Sequence, residues 1–350
     1  MSKGGKDMSV KAVTPQGKQR TARSQGLKRG KRRAALTVAF LLAVLLPAAL
    51  AFSNHALAAD RESGSRRGGS GAASGGVVQA WGLNDEGQCY VPGSDVNFTA
   101  ISAGGAHSVA LKADGSLVSW GDDTHGQVTD TPSGNDFVAV AAGGYHSVAL
   151  RADGSLVSWG DDTHRQVSDT PPGGIFRAVA AGRYHSLAIA TDGGSILAWG
   201  DDTYGQCTVP GDNNLFKAID AEGYVSIALK SDGSIVAFGD DHDGQVTDAP
   251  SGNDYKAVAA GFGHCVALSP DGTLISWGDD QYSQVSSTPT GSGFTAVAAG
   301  ELHSLALDSD GSVAAWGCNT SGQCNVPSPN AYFVAIAAGG RHSLGLNTMC

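Results

Sequence analysis

From residue 77 onward the chain alternates. In 137–142, FVAVAA, Val138 and Val140 fall on one side and Ala139 and Ala141 on the other. In 146–150, HSVAL, Val148 and Leu150 oppose Ser147 and Ala149. A period of two residues is the mark of a strand. Asp153-Gly154, between HSVALR and SLVSW, is a hairpin turn signal. The pattern predicts three strands, then a loop such as GDDTHGQVTD (121–130) that leads into a short fourth. No window keeps a 3.6-residue period, so no helix is expected in this part; the apolar run 34–52 is the one helix candidate. Large side chains occupy one sheet face and Ala, Ser or Gly the other, and both faces are nearly uncharged. Such sheets must be covered on both sides, large face on small face, at a spacing of about 10 Å.

The pattern recurs. Trp-Gly stands at Trp81, Trp120, Trp159, Trp199, Trp277 and Trp316, with Phe238-Gly239 in the one gap, in steps of 39, 39, 40, 39, 39 and 39 residues. A His keeps the same beat at His107, His146, His185, His264, His303 and His342, and Val225 replaces it once. A fixed period near 40 marks an array of small units that need their neighbours. A ring of four-stranded blades is a β-propeller. The ends argue for closure. The last repeat stops at Cys350, in the position of the turn residue Gly115, and the missing strand is found at the other end, in GVVQAWG (76–82). The reading is all-β: seven blades, with the N-terminal strand completing the last one and removing the open edges.

The rest of the chain has another composition. Residues 1–33 hold eleven Lys or Arg and one acid; 34–52 carry no charge; Ala56 to Ala58 read A-x-A. This is the layout of a secretory signal over 1–58, with an uncleaved signal anchor as the rival, since the apolar run is nearly long enough to span a bilayer. Residues 59–76 are Gly/Ser-rich and read as a linker, which leaves 77–350 as the propeller. That part has nine Lys or Arg against thirty Asp or Glu, a net charge of −21 hidden behind the basic leader. Such a surface disfavours nucleic acid and anionic lipid and favours a basic protein partner. Any membrane contact would come through an uncleaved anchor.

The stretch GGYHSVALRADGSLVSWGDDTHGQV resembles the regulator of chromosome condensation repeat in a short-blade form, and the resemblance covers 77–350. It implies a seven-bladed propeller. The family's nuclear prototype is a guanine nucleotide exchange factor for a small GTPase, with longer blades and a protruding β-wedge for which repeats of 39 or 40 leave no room. A plant branch senses ultraviolet light through a Trp-x-His pattern. Here Gly105, Gly144, Arg183, Gly223, Phe262, Glu301 and Gly340 hold the matching positions. A secreted bacterial branch, similar to the type II β-lactamase inhibitory protein, fits the leader and the repeat length. That branch grips its enzyme with aromatic loop residues, for which Tyr90, Tyr204 and Tyr282 are the candidates. The expectation is an exported or envelope-bound bacterial protein, monomeric, acting as a protein-binding scaffold or as an enzyme inhibitor, with exchange activity a distant third.

Residue chemistry adds to this. Six His at one repeat position cannot converge on a metal, because ligands must lie about 2.0–2.1 Å from it; each is expected to satisfy a backbone group inside its own blade. His125, His164 and His242 lie in loops with no second ligand at metal spacing, and DDHDGQ (240–245) lacks the distal Glu of a calcium loop. No metal or cofactor is expected. Five Asp pairs follow Trp-Gly or Phe-Gly. The second Asp of each suits a turn, while no turn requires the first. Asp122, Asp161, Asp201, Asp240 and Asp279 are therefore the candidate partner-binding face. No G-x-S-x-G, H-E-x-x-H or phosphate loop is present, so no enzyme is expected. Cys318 and Cys324 could pair as a disulfide in an exported chain; Cys265 reads as buried and free. Glu222, Val225 and Phe238 break the repeat signature together, which drift would explain, with a specialised contact blade as the alternative.

Overall fold

The computed structural model describes residues 75–93 and 97–348. The signal (1–58), the linker up to residue 74, and Cys350 lie outside the described residues. Twenty-one strands form seven separate three-stranded sheets, with no helix among the described residues. Strand β1 (Val77–Gly82) comes first. Blade 1 is β2 (Phe98–Ala103), β3 (His107–Lys112) and β4 (Leu117–Gly121). Blade 2 is β5 (Phe137–Ala142), β6 (His146–Arg151) and β7 (Leu156–Gly160), and blade 3 is β8 (Phe176–Ala181), β9 (His185–Ala190) and β10 (Ile196–Gly200). Blade 4 is β11 (Phe216–Glu222), β12 (Val225–Lys230) and β13 (Ile235–Gly239). Blade 5 is β14 (Ala257–Ala260), β15 (His264–Leu268) and β16 (Leu274–Gly278), and blade 6 is β17 (Phe294–Ala299), β18 (His303–Asp308) and β19 (Val313–Gly317). Blade 7 joins both ends of the fold: β20 (Phe333–Ala338) and β21 (His342–Asn347) pair with β1, from Val77↔Asn347 to Gly82↔His342. Closure by the N-terminal strand therefore stands, and Gly76 already belongs to the fold through a bridge to Phe98.

Two expectations are corrected. No fourth strand joins a blade among the described residues. The segment after each third strand folds on itself instead: Asp123 Oδ1 accepts the Val128 and Thr129 amides at 2.9 Å, and Asp130 N bonds Gly126 O at 3.1 Å. Those donors are no longer free for a ladder. Val138 and Val140 do not share a face. The β5–β6 register slips between Phe137 and Ala139, a bulge that leaves Val138 51% exposed and Val140 2% exposed.

Seven apolar clusters lie between the blades, one per interface. In the interface of blades 2 and 3, Val148 and Leu150 of one sheet meet Phe176, Val179, Ala181, Ala188 and Trp199 of the next. Ala at every second position is what lets the facing sheet bring a Trp and a Phe into the same layer. Each buried Val, Leu or Phe contributes about 1.5–3 kcal/mol, and none of it is available to a blade standing alone.

Candidate interaction face

One set of bonds recurs from blade to blade and fixes where the loops stand. The Trp120 indole N–H donates to Gln88 O at 2.8 Å, and the Ser108 hydroxyl donates to the same carbonyl at 3.0 Å. Ser108 Oγ then accepts from His342 Nε2, 2.9 Å away on the preceding blade. The same relay joins His303, Ser343 and Gln323 O. The remaining pairs are His107–Ser147, His146–Ser186, His185–Ser226 and His264–Ser304, at 2.7–2.8 Å. The repeat His therefore does not serve its own blade, as the sequence suggested, but bonds a hydroxyl on the next one. Where the Ser proton goes to the Gln carbonyl, the His must donate from Nε2, and its Nδ1 is buried with no acceptor for a second proton, so the ring is neutral. Burial holds the six His far below their usual value, at about 3 or 4. The fully buried Gln88, Gln127, Gln166, Gln206, Gln245, Gln284 and Gln323 were missed in the sequence, although Gln stands at one repeat position in all seven units.

The loops after the third strands stand beside the turns that join first and second strands. The His107↔Gly121 pairing sets them side by side, and the Asp122 amide donates to Ala106 O at 2.9 Å. Asp161, Asp201 and Asp240 do the same to Tyr145, Tyr184 and Tyr224. The view that no turn requires the first Asp is corrected here. Asp122 accepts from the Thr124 amide, the Thr124 hydroxyl and Gln127 Nε2 at 2.8–3.0 Å, and is 9% exposed. Asp161 repeats these bonds and is 5% exposed. Asp201, Asp240 and Asp279 are half-buried and also hold their loop Gln. The second Asp is the more exposed in four of the five pairs, and Asp240 and Asp241 are both half-buried. The Thr129 amide, foremost, holds the Asp123 carboxyl below its usual range, helped by Val128 against a small burial cost.

The Cys318–Cys324 disulfide is not formed. Cys324 Sγ donates to Cys318 O at 3.3 Å, Cys318 Sγ lies 3.3 Å from Thr320 Oγ1, and both are free thiols. Cys265 is free and buried.

The same face carries an aromatic arc that the sequence reading overlooked. Tyr145, Tyr184, Tyr224 and Phe262 come from blades 2 to 5, each close to the repeat His position. Their ring centroids follow one another at 5.6, 6.2 and 5.9 Å. Loop residues from the preceding blade flank them: His125 on Tyr145, His164 on Tyr184, and Tyr204 on Tyr224, at 4.5–5.6 Å. His242 touches Tyr204 and bonds Asp240, which raises its pKa. The Arg183 guanidinium lies over Tyr145, Tyr184 and Phe262, 5.5–5.8 Å from their centroids. The signal was present as GYH, RYH and GYV before the second strands. The loop tyrosines Tyr90, Tyr204 and Tyr282 are 74%, 45% and 40% exposed.

Inside the arc, where the first turns of the blades meet, is a cavity of about 160 Å³. It is lined by Ala106, Tyr145, Arg183, Glu222, Phe262 and Glu301, together with Gly105, Gly144 and Gly340. Glu222 occupies the place of Gly104, Gly143, Gly182, Gly261, Gly300 and Gly339 in the other blades. At Gly104, Gly143, Gly300 and Gly339 an added Cβ would meet the next blade's carbonyl at 2.1–2.4 Å. Blade 4 makes room by rebuilding the turn. Its strands pair out to Glu222↔Val225 across Gly223-Tyr224, with Gly223 at φ 55°, and Arg183 N bonds Gly223 O at 2.9 Å. Val225 has no hydroxyl to serve on blade 5, and the matching Ser is Cys265; the two share one apolar cluster. The exchange is thus matched across two neighbouring blades.

Among the described residues no three His, Cys, Asp or Glu stand together to hold a metal, and no helix is long and apolar enough to cross a membrane. The family model described as the regulator of chromosome condensation repeat matches residues 98–127, 137–166, 176–206, 255–284 and 294–323. Glu222, Val225 and Phe238 fall in the gap between the third and fourth of these stretches. No curated protein matches the chain. Among solved structures, Prp20p of Saccharomyces cerevisiae, studied for its binding to Gsp1p and histones, is similar at 18% identity and TM-score 0.67, over 79% of this chain and 93% of that one. Human WBSCR16 is similar at 16% identity and TM-score 0.63, over 77% and 98%. The ectodomain of the Arabidopsis thaliana receptor kinase ACR4 is similar at 20% identity and TM-score 0.57, over 70% and 91%. At these identities the likeness is one of fold.

Proposed function

Because the chain belongs to the regulator of chromosome condensation repeat family, we propose that it is an exported, non-catalytic propeller that binds a basic protein through the face carrying the aromatic arc. The observation that carries this reading is the arc itself. Tyr and Arg are the residues on which protein interfaces concentrate their binding energy, and here they stand in one run across four blades. The acidic loops beside it supply the charge. Asp122, Asp161, Asp201, Asp240 and Asp279 contribute to the field of that face from half-buried or buried positions, while Asp123, Asp162, Asp202 and Asp280 are exposed enough to be touched. Fields of this kind act over about 8 Å at physiological salt and chiefly raise association rates. Export rests on residues 1–58. Similarity of fold to Prp20p, which was studied for its binding to Gsp1p and histones, supports protein binding in general and names no partner for this chain.

The test is capture from culture medium and envelope fractions by the full-length chain and by a variant with Tyr184→Ala and Tyr204→Ala. A basic protein held by the parent, lost by the variant, and binding more slowly as salt rises is the expected result. A captured protein indifferent to both changes overturns the reading. The exposed loop tyrosines Tyr90, Tyr204 and Tyr282 favour a second reading, a secreted inhibitor of an enzyme such as a β-lactamase. Assay of a captured hydrolase, free and bound, decides between the two.

A further inference from the structure

The cavity inside the arc is built differently from the rest of the ring. Six blades bring a Gly to the position that blade 4 gives to Glu222. That carboxylate is 5% exposed and lines the cavity, and its neighbours there are the Gly223 amide, Arg183 and Glu301. Among the described residues no ion pair within 4.0 Å joins it to Arg183; Arg341, the cation near Glu301, is 3.8 Å from it. Arg183 donates through Nη2 to Tyr145 Oη at 3.3 Å, and its Nε is buried without a partner. A buried carboxylate and an under-used guanidinium are each costly unless something answers them. They face one small space, and the fold has rebuilt a turn to bring the carboxylate there. A buried acid on a rebuilt turn, facing an arginine whose Nε has no partner, points to an external ligand.

We propose that this cavity binds a small zwitterion of the α-amino acid class, its carboxylate taken by Arg183 and its ammonium by Glu222 and Glu301. The two acids come from blades 4 and 6 and flank Phe262 of blade 5, so the ammonium meets a carboxylate on either side and an aromatic ring between them. The guanidinium offers a planar fork suited to a carboxylate. Gly105, Gly144 and Gly340 line the rest of the cavity and carry no side chain to fill it. About 160 Å³ is close to the roughly 150 Å³ that takes up a benzene molecule, a size for one small metabolite and not for a peptide. Burial raises the Glu222 carboxyl to about 8, so an arriving ammonium displaces a proton from it to solvent. This inference is independent of the protein-binding reading, since it needs no partner chain.

The test is calorimetric titration and thermal shift of the full-length chain with the twenty amino acids. The best ligand is then compared with its decarboxylated amine and its deaminated acid. Each half should bind at least about tenfold more weakly than the whole, equivalent to about 1.4 kcal/mol. Glu222→Gln and Arg183→Gln should each weaken the amino acid by at least about tenfold, and Val334→Ala, exposed on β20 and outside the cavity, should not. Melting curves of the variants establish that they are folded, and Glu222→Gln keeps the shape of the side chain. The proposal is overturned by any of three results: no amino acid binds at on the order of 10 mM, the amine alone binds as well as the amino acid, or Glu222→Gln binds as well as the parent.

Discussion

Six of the seven blade interfaces are stapled by an imidazole on one blade and a hydroxyl on the next. The interface between blades 4 and 5 replaces both partners, with Val225 on one side and Cys265 on the other. The difference shows what the staple is worth. A buried hydrogen bond returns only about 0.5–1.5 kcal/mol net, but leaving either partner unpaired costs about 1–3 kcal/mol. Exchanging both for apolar groups of fitting shape is therefore nearly neutral, whereas exchanging one is not. The matched pair is the arrangement that this asymmetry permits. It also frees the turn of blade 4 from the geometry a His imposes, and that turn carries Glu222.

The contrast between stapled and unstapled interfaces matters only while the ring is closed, so the largest expected effect comes from opening it. Deleting Val77–Gly82 strips β21 of its partner on one side and removes Trp81 from the cluster between blades 6 and 7. Loss of cooperative melting and aggregation through the bare edge are expected. Deleting 59–74 should leave the midpoint unchanged. Calorimetry and light scattering of the two deletions check this; a strand deletion that melts like the parent removes the closure argument.

Acid should act on the six stapled interfaces and spare the seventh. The folded pKa of each staple His, about 3 or 4, lies below the ordinary value of 6.5. Between those values the unfolded chain binds the proton and the folded chain does not. Stability is thus complete above pH 6.5 and falls as pH drops through 6.5 toward 4, by up to about 1.4 kcal/mol per pH unit for each His. Urea midpoints between pH 7 and 5 should fall steeply, and less steeply in His303→Val, which has one such group fewer. A midpoint flat over that range contradicts the burial of these rings.

Next in size is the direct exchange of staples. Val225→His puts an imidazole opposite a thiol and should cost about 2–3 kcal/mol; adding Cys265→Ser should restore at least half of it. In the other direction, His303→Val should cost about 2 kcal/mol, less when Ser343→Cys accompanies it, although Ser343 also serves Gln323 O. Denaturant titration of the two cycles gives the coupling energies. Coupling near zero in both would mean that the Val–Cys pair is unrelated to the His–Ser pair.

How far the sequence reached follows from what repeats. Strand alternation, the Trp-Gly beat and the stray N-terminal strand were legible because each appears six or seven times or answers a gap, and they led to the closed ring. The partner of the repeat His was not, because it lies about 40 residues away and a strand pattern says nothing about which neighbour a buried ring meets. The short fourth strand was expected to follow the loop 121–130, but the Asp and Gln side chains had already claimed the loop's donors. At the site, the first Asp of each pair was read by charge alone, without the Gln five residues on that it holds. The aromatic arc was overlooked because its members are one per blade and turn toward each other only when the ring closes. Glu222 stood out in the sequence as an irregularity, but its meaning depended on Arg183 and Glu301, which approach it from other blades.

The smallest expected effect concerns the last irregularity of blade 4. Phe238 is 4% exposed, like the Trp residues at its position, and packs in the cluster between blades 3 and 4. Elsewhere the indole N–H closes on the loop Gln carbonyl at 2.8–2.9 Å. In blade 4 that carbonyl, Gln206 O, accepts from the Ser226 hydroxyl at 2.8 Å, so it is not left unsatisfied, and the Phe leaves no orphaned group behind. Phe238→Trp would add one donor to a carbonyl that has a second lone pair to offer, a gain of about 0.5–1.5 kcal/mol. The larger ring must also enter a layer closed by Ile189, Ile196 and Ile219, and overpacking costs about 1–3 kcal/mol where the neighbours do not yield. The two nearly cancel, so the expected change is within about 1 kcal/mol of zero. A loss above about 2 kcal/mol in denaturant titration would show that blade 4 has closed around the Phe and is no longer interchangeable with its neighbours. A gain would show that only its turn, with Glu222 and Val225, has been rebuilt.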